Sequence, residues 1–142
     1  MTISTNAMRF VDTNVLLYAV STDPAEAAKA IVARALLNET ELALSVQVLQ
    51  EFYVQATRPA SRASLGHSDA TALVESWLRF PILDLTVPLV RAALVASARW
   101  QISYWDAAIV ESARALGCAV LLSEDLQPGQ DFDGVQVVDP FR

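Results

Sequence analysis

Short apolar runs alternate along the chain with longer segments in which apolar residues recur at three- and four-residue intervals. That alternation predicts βα units around a mostly parallel sheet. Met8 to Val11 reads as the first strand, and residues 14–20 as a short helix. Asp23 and Pro24 have the character of an N-cap and a first helical residue, and open a helix to about Leu37. Leu42 to Leu44 reads as a second strand, after which Ser45 caps a helix from Val46 to about Ala56. The Pro-, Gly-, Ser- and Arg-rich stretch Thr57 to Ser68 predicts a loop, with Ser68 or Asp69 capping the next helix. Pro81 ends that helix before an ILDL strand, Ile82 to Leu85, and Thr86 caps a helix to about Trp100. Ser103 and Asp106 have capping-box spacing, so a helix is expected from Tyr104 to Gly117. Ala119 to Leu122 is a fully apolar strand, and Val135 to Val138 a last, edge strand. The fold class is therefore α/β, with about five short strands flanked by helices.

The 142 residues suit one domain, and the apolar share of 54% is ample for a packed core. Residues 1–7 are small and polar, which predicts a flexible N-terminal leader before a single domain over residues 8–142. No apolar run is long enough to cross a bilayer, and the opening MTISTNAM has neither the charged nor the apolar region of a signal peptide, so a cytoplasmic location is expected. Cys118 and His67 each stand alone, which excludes an intramolecular disulfide, a Cys-based zinc site and a histidine-rich one. Any metal must be hard and oxygen-ligated. Ten Lys and Arg against 16 Asp and Glu, a net charge of -6, argue against a broad basic surface for nucleic acid.

The distribution of the acids changes the picture. Asp12 and Asp125 each follow a strand at its carboxyl end, where open α/β sheets place their ligand crevice. Glu51 lies about two turns into the helix after the second strand, and Asp106 in the first turn of the helix before the AVLL strand. Each has an ordinary explanation: an N-cap for Asp12, a capping-box arm for Asp106, an Asx-turn for Asp125, a polar helix face shared with Gln47 and Gln55 for Glu51. A shared site accounts for all four. Carboxylates gathered at one sheet edge raise one another's pKa unless a cation is present. Mg²⁺ or Mn²⁺ accepts such oxygen ligands and handles phosphate, activating water and stabilising a departing oxygen.

The segments RFVDTNVLLYA, SVQVLQEFYV, YWDAAIVESA, LLSEDLQPGQ and VQVVDPF together resemble the PIN-domain ribonucleases, and most closely the VapC-type toxins of bacterial toxin–antitoxin pairs. The resemblance runs from about Met8 to the C-terminus, with DTN and WDAAI its most specific pieces. It implies a PIN-like fold and an Mg²⁺- or Mn²⁺-dependent endoribonuclease, the toxin of a type II pair. Asp12, Glu51, Asp106 and Asp125 match the family's acidic quartet, which would be at once catalytic and metal-holding. Asn14 and Ser123 match supporting polar positions. A cognate antitoxin protein and a homodimer are implied as partners. One departure is that Asp139 stands where the family pattern has Asn before Pro-Phe, which should affect the local turn more than chemistry. With no His or Lys placed to use the RNA 2′-hydroxyl, products are expected to carry a 5′ phosphate and a 3′ hydroxyl.

Other residues read less sharply. Arg58 and Arg62 are candidate RNA-backbone contacts, or simply solvated arginines. Glu124 reads as a solvated neighbour of the quartet more than an outer ligand, because successive residues of an extended segment point to opposite sides. His67 is expected in a surface loop, Cys118 in the core, and Trp77, Trp100 and Trp105 at core or interface positions in preference to base stacking. Two alternatives stay open: a PIN-like interaction module without catalysis, and a haloacid dehalogenase-type phosphatase. The second wants DxD where this chain has DTN, and a lysine near the strand ends, whereas Lys29 falls in a helix expected to be remote from them.

Overall fold

The strands are too short to stand alone and gain their stability from the helices and neighbouring strands packed against them. The computed structural model describes residues 8–61 and 63–142; the expected leader and Arg62 lie outside the described residues. Among the described residues, β1 (Arg9–Val11), β2 (Leu42–Ser45), β3 (Ile82–Leu83), β4 (Val120–Leu122) and β5 (Gln136–Val138) form one five-stranded sheet in the order β3-β2-β1-β4-β5. Every pairing in it is parallel, so the sheet is wholly rather than mostly parallel. The helices are α1 (Thr13–Ala19), α2 (Ala27–Leu37), α3 (Val46–Ala56), α4 (His67–Trp77), α5 (Val87–Trp100) and α6 (Tyr104–Ala115). Phe10, Phe52 and Phe132 are fully buried around the sheet. Ala93 and Ala96 of α5 pack with Ala107 and Ala108 of α6, small side chains that let the two helices approach closely. No helix of the described residues is long and apolar enough to cross a membrane.

Local chemistry accounts for most boundaries. The side chains of Asp12, Ser45, Thr86 and Ser103 each accept a backbone N–H at a helix start. Asp23 also caps, but the turn after it, Pro24–Glu26, is 3₁₀ and the α-helix begins only at Ala27. The expected cap at Ser68 or Asp69 is replaced by Gly66, whose carbonyl accepts the Ala70 N–H at 3.0 Å. His67 is consequently the first residue of α4 rather than part of a loop, and Asp69 sits in the first turn, where its charge suits the helix dipole. At the end of α6, Gly117 turns the chain at φ +73°, a conformation that favours glycine. β3 keeps only two of the four expected residues. β5 is an edge strand, as its composition suggests.

This order has a consequence for function. The chain steps outward from β1 to β2 and β3, then crosses back to place β4 on the other side of β1. The carboxyl ends of β1 and β4 thus flank a topological switch point, the natural ligand crevice of such a sheet.

Candidate active site

Val11 pairs with Leu122 in the last rung of the β1–β4 ladder, so the residues that follow each strand leave the sheet side by side. They are Asp12 and Ser123. The Ser123 hydroxyl donates to Asp12 Oδ2 at 2.7 Å, while Oδ1 takes the Thr13 N–H at 2.7 Å. Asp12 is therefore both the cap of α1 and a buried carboxylate at the crevice. Asn14, two residues on, joins the two segments: its Nδ2 donates to Asp125 Oδ2 at 3.1 Å, and its Oδ1 accepts the Glu124 N–H at 3.3 Å. Glu51 comes from α3 and is aimed by the Thr13 hydroxyl, which donates to Oε1 at 2.7 Å. Gln47 Nε2, one turn earlier, reaches both Glu51 Oε2 and the Trp105 carbonyl oxygen at 3.4 Å. Asp106 comes from the first turn of α6, its own N–H on the Ser103 hydroxyl at 3.1 Å.

Asp12, Asn14, Glu51, Asp106 and Asp125 all line one polar cleft of about 350 Å³. Ser123, fully buried, supports it from behind. Burial pushes the Asp12 carboxyl up to about 7, against the Ser123 and Thr13 hydrogen bonds and with help from the charges of Asp125 and Glu51. Asp106 is also raised, first by burial and then by Asp125, while its hydrogen bond with Ser103 works the other way. The four acids named from the sequence thus feel one another across a shared cleft. Among the described residues no three His, Cys, Asp or Glu side chains are drawn into a ready-made metal site. The donor set is nevertheless all hard oxygen, and charge crowding at a buried Asp12 is the condition a divalent cation relieves.

The model of the PIN domain matches residues 9–130. The chain belongs to the PIN-domain family. No curated protein matches its sequence. Among solved structures, this PIN domain is similar to the Sarcin-Ricin loop cleaving toxin VapC20 of Mycobacterium tuberculosis, with 21% identity over 82% of this chain and 91% of that one and a TM-score of 0.64. A toxin–antitoxin complex from Klebsiella pneumoniae shares 18% identity over 93% and 97%, at a TM-score of 0.67. DNA-bound VapBC from Salmonella typhimurium shares 20% over 94% and 98%, at 0.64. At these identities the likeness is one of fold.

Several residues of the PIN domain were outside the sequence-based site. Thr13 sits inside the DTN motif itself, which was the available signal. Glu124, half-buried, is no solvated bystander: it lines the cleft, accepts from the Tyr18 hydroxyl at 2.5 Å and pairs with Lys29. Lys29 is therefore not remote from the strand ends, and the sequence argument that set it aside is corrected. Its Nζ lies 4.9 Å from the centre of the Tyr18 ring and 5.8 Å from that of Phe141. Hydrogen bonds to Glu124 and Tyr18 push the Lys29 pKa up, so the ammonium stays charged. Asp139 makes the turn expected of it, its Oδ1 accepting the Phe141 N–H at 2.9 Å. Arg58 lies in a groove beside the cleft rather than in it. Cys118 is buried, which pushes its thiol up to about 11 and keeps it unreactive.

Proposed function

We propose that this PIN domain is a metal-dependent endoribonuclease, the toxin of a type II toxin–antitoxin pair acting in the cytoplasm, with an antitoxin protein and a second copy of itself as partners. One observation carries the reading: carboxylates from four separate elements face one cleft, and the most buried of them, Asp12, is held near 7 by burial and by its acidic neighbours. The relatives in structure support it, one being a Sarcin-Ricin loop cleaving toxin and others toxin–antitoxin complexes.

Asp12, Glu51, Asp106 and Asp125 would hold Mg²⁺ or Mn²⁺. The ion supplies activation of a water and neutralisation of charge at the phosphodiester. The chain does the positioning. Ser123 and the Thr13 N–H fix both oxygens of Asp12, Thr13 and Gln47 fix Glu51, and Asn14 fixes Asp125. No histidine or lysine lines the cleft to deprotonate a ribose 2′-hydroxyl: His67 is bonded to the Tyr53 hydroxyl at 2.9 Å and Lys29 is engaged with Glu124. Cleavage in Mn²⁺ is expected to leave 5′-phosphate and 3′-hydroxyl ends, and to stop in EDTA. Sequencing of RNA ends after brief expression, alongside cleavage of total RNA by purified protein, checks both; 2′,3′-cyclic phosphate ends or EDTA-resistant cleavage would refute the mechanism.

Thr13 provides a finer test. Thr13→Val keeps the shape of this buried side chain and removes the hydroxyl that aims Glu51. Mn²⁺ binding measured by calorimetry should weaken by roughly 10- to 100-fold, the usual effect of removing a partner that orients a ligand, and Thr13→Ser should restore it. Unchanged binding in the valine variant would remove Glu51 from the site.

A further inference from the structure

The cleft does not end at Asp106. It continues into a groove of about 370 Å³ along α3, and the two share Glu51, Gln55 and Trp105. Trp105 stands on this common rim, 63% exposed, next to Asp106 in sequence. Its behaviour separates it from the other tryptophans: Trp77 is buried against Phe52, and Trp100 packs edge-on to Phe132. An indole left in water forgoes a large hydrophobic gain, and Trp105 is moreover held in place, by edge contact with Tyr104 at 5.1 Å and by the Gln47 amide on its carbonyl oxygen. Arg58, two residues beyond the end of α3, lines the same groove. Among the described residues Arg9, Arg99, Arg114 and Arg142 are in ion pairs and Arg34 and Arg79 donate to backbone carbonyls, whereas the exposed guanidiniums of Arg58 and Arg91 have no such engagement, and of these two only Arg58 lines the groove.

We infer that this groove is a single-stranded RNA subsite in which a base flanking the scissile phosphate stacks on Trp105 and a phosphate further along the strand meets Arg58. An exposed, braced aromatic beside a cleft that takes phosphodiesters, followed by an uncommitted cation, is the arrangement that sequence-tolerant single-strand recognition uses. It fits the net charge of -6, since affinity then rests on one stacked base and one local cation rather than a basic surface. The exposure of Trp105 rules out the core half of its expected core-or-interface role, and the subsite replaces the interface half with base stacking.

The inference rests on the ribonuclease reading, and the test separates the two. Cleavage-deficient Asp12→Asn protein in Mg²⁺ is titrated with a short, mixed-sequence, fluorescein-labelled single-stranded RNA. Adding Trp105→Ala should weaken binding about tenfold and abolish the quenching of tryptophan fluorescence, while Trp105→Phe stays within about threefold. Adding Arg58→Ala should lower the slope of log affinity against log salt by about 0.7. In the cleaving protein Trp105→Ala should raise KM and leave kcat and the melting temperature in place. Equal RNA affinity with and without Trp105, in a protein that still cleaves RNA, overturns the subsite and leaves the nuclease standing; so does a Trp105 change that costs only the binding of a protein partner. No RNA binding by Asp12→Asn and no cleavage by the parent overturn both.

Discussion

Asp12→Asn is expected to abolish RNA cleavage and at the same time to make the metal-free protein harder to melt at pH 8. The two effects have one cause. Asp12 is buried, its carboxyl is ringed by Ser123, the Thr13 N–H and the charges of Asp125 and Glu51, and its pKa stands at about 7. At pH 8 it is ionised in the folded chain against that resistance. An asparagine keeps the shape and its Oδ1 can still accept the Thr13 N–H, while the Ser123 oxygen, already accepting the Asp125 N–H at 3.2 Å and the Asn14 amide at 3.4 Å, would have to give up the weaker of these to take the new amide. The folded state then sheds an unpaired buried charge and gains several degrees of melting temperature. The same change removes a charged oxygen ligand from the centre of the cleft, for which a loss of cleavage of at least about 1,000-fold is expected. Added Mn²⁺ should reverse the order of stability, raising the parent well above the variant. Calorimetric melting of both proteins, with and without Mn²⁺, beside a cleavage assay, checks each part. A variant that cleaves normally, or one less stable than the parent without metal, would show that Asp12 is a structural cap alone.

That a helix cap and a buried acid of the cleft are the same residue explains how much was legible beforehand. Helix starts at Asp12, Ser45, Thr86 and Ser103 are readable because each rests on a side chain and an N–H within three residues. Gly66 escapes such reading because a glycine cap carries no side-chain signal, while Ser68 and Asp69 beside it do. Asp12, Asp106 and Asp125 could be gathered from sequence because each follows a strand or opens a helix in a fold whose topology brings those ends together, and Glu51 because it lies on the helix that leaves the neighbouring strand β2. Side-chain reach is another matter. Lys29 meets Glu124 across 95 residues of sequence, and only the placement of α2 beside the loop after β4 decides that they touch. Trp105 lies outside the core for a related reason: periodicity puts it on an amphipathic helix, yet in the first turn of α6 the ring lies beyond the packing that buries Ala107 to Val110.

The pH dependence of stability carries the second large effect, and its sign is opposite to that of a carboxylate in a salt bridge. An unfolded Asp12 titrates near 3.8 and the folded one near 7, so below about 4 both states hold the proton and no difference arises. Between about 4 and 7 the folded chain keeps a proton that the unfolded chain has lost, the unfolded state binds fewer protons, and stability falls as pH rises. Above 7 both are ionised and the full cost, on the order of 4 kcal/mol, is in place. Asp106, also raised, pushes the same way. The metal-free protein should therefore melt at a lower temperature at pH 8 than at pH 5. Metal binding needs the deprotonated carboxylate, so the rise in melting temperature given by a fixed Mn²⁺ concentration should grow over the same interval. Asp12→Asn should flatten most of the first dependence and remove most of the second. Calorimetry across this range, in chelator and in Mn²⁺, decides it: a metal-free parent that gains stability from pH 5 to pH 8, or a metal effect independent of pH, would mean that the cleft tolerates its charges without a cation and that the four acids are not a metal site.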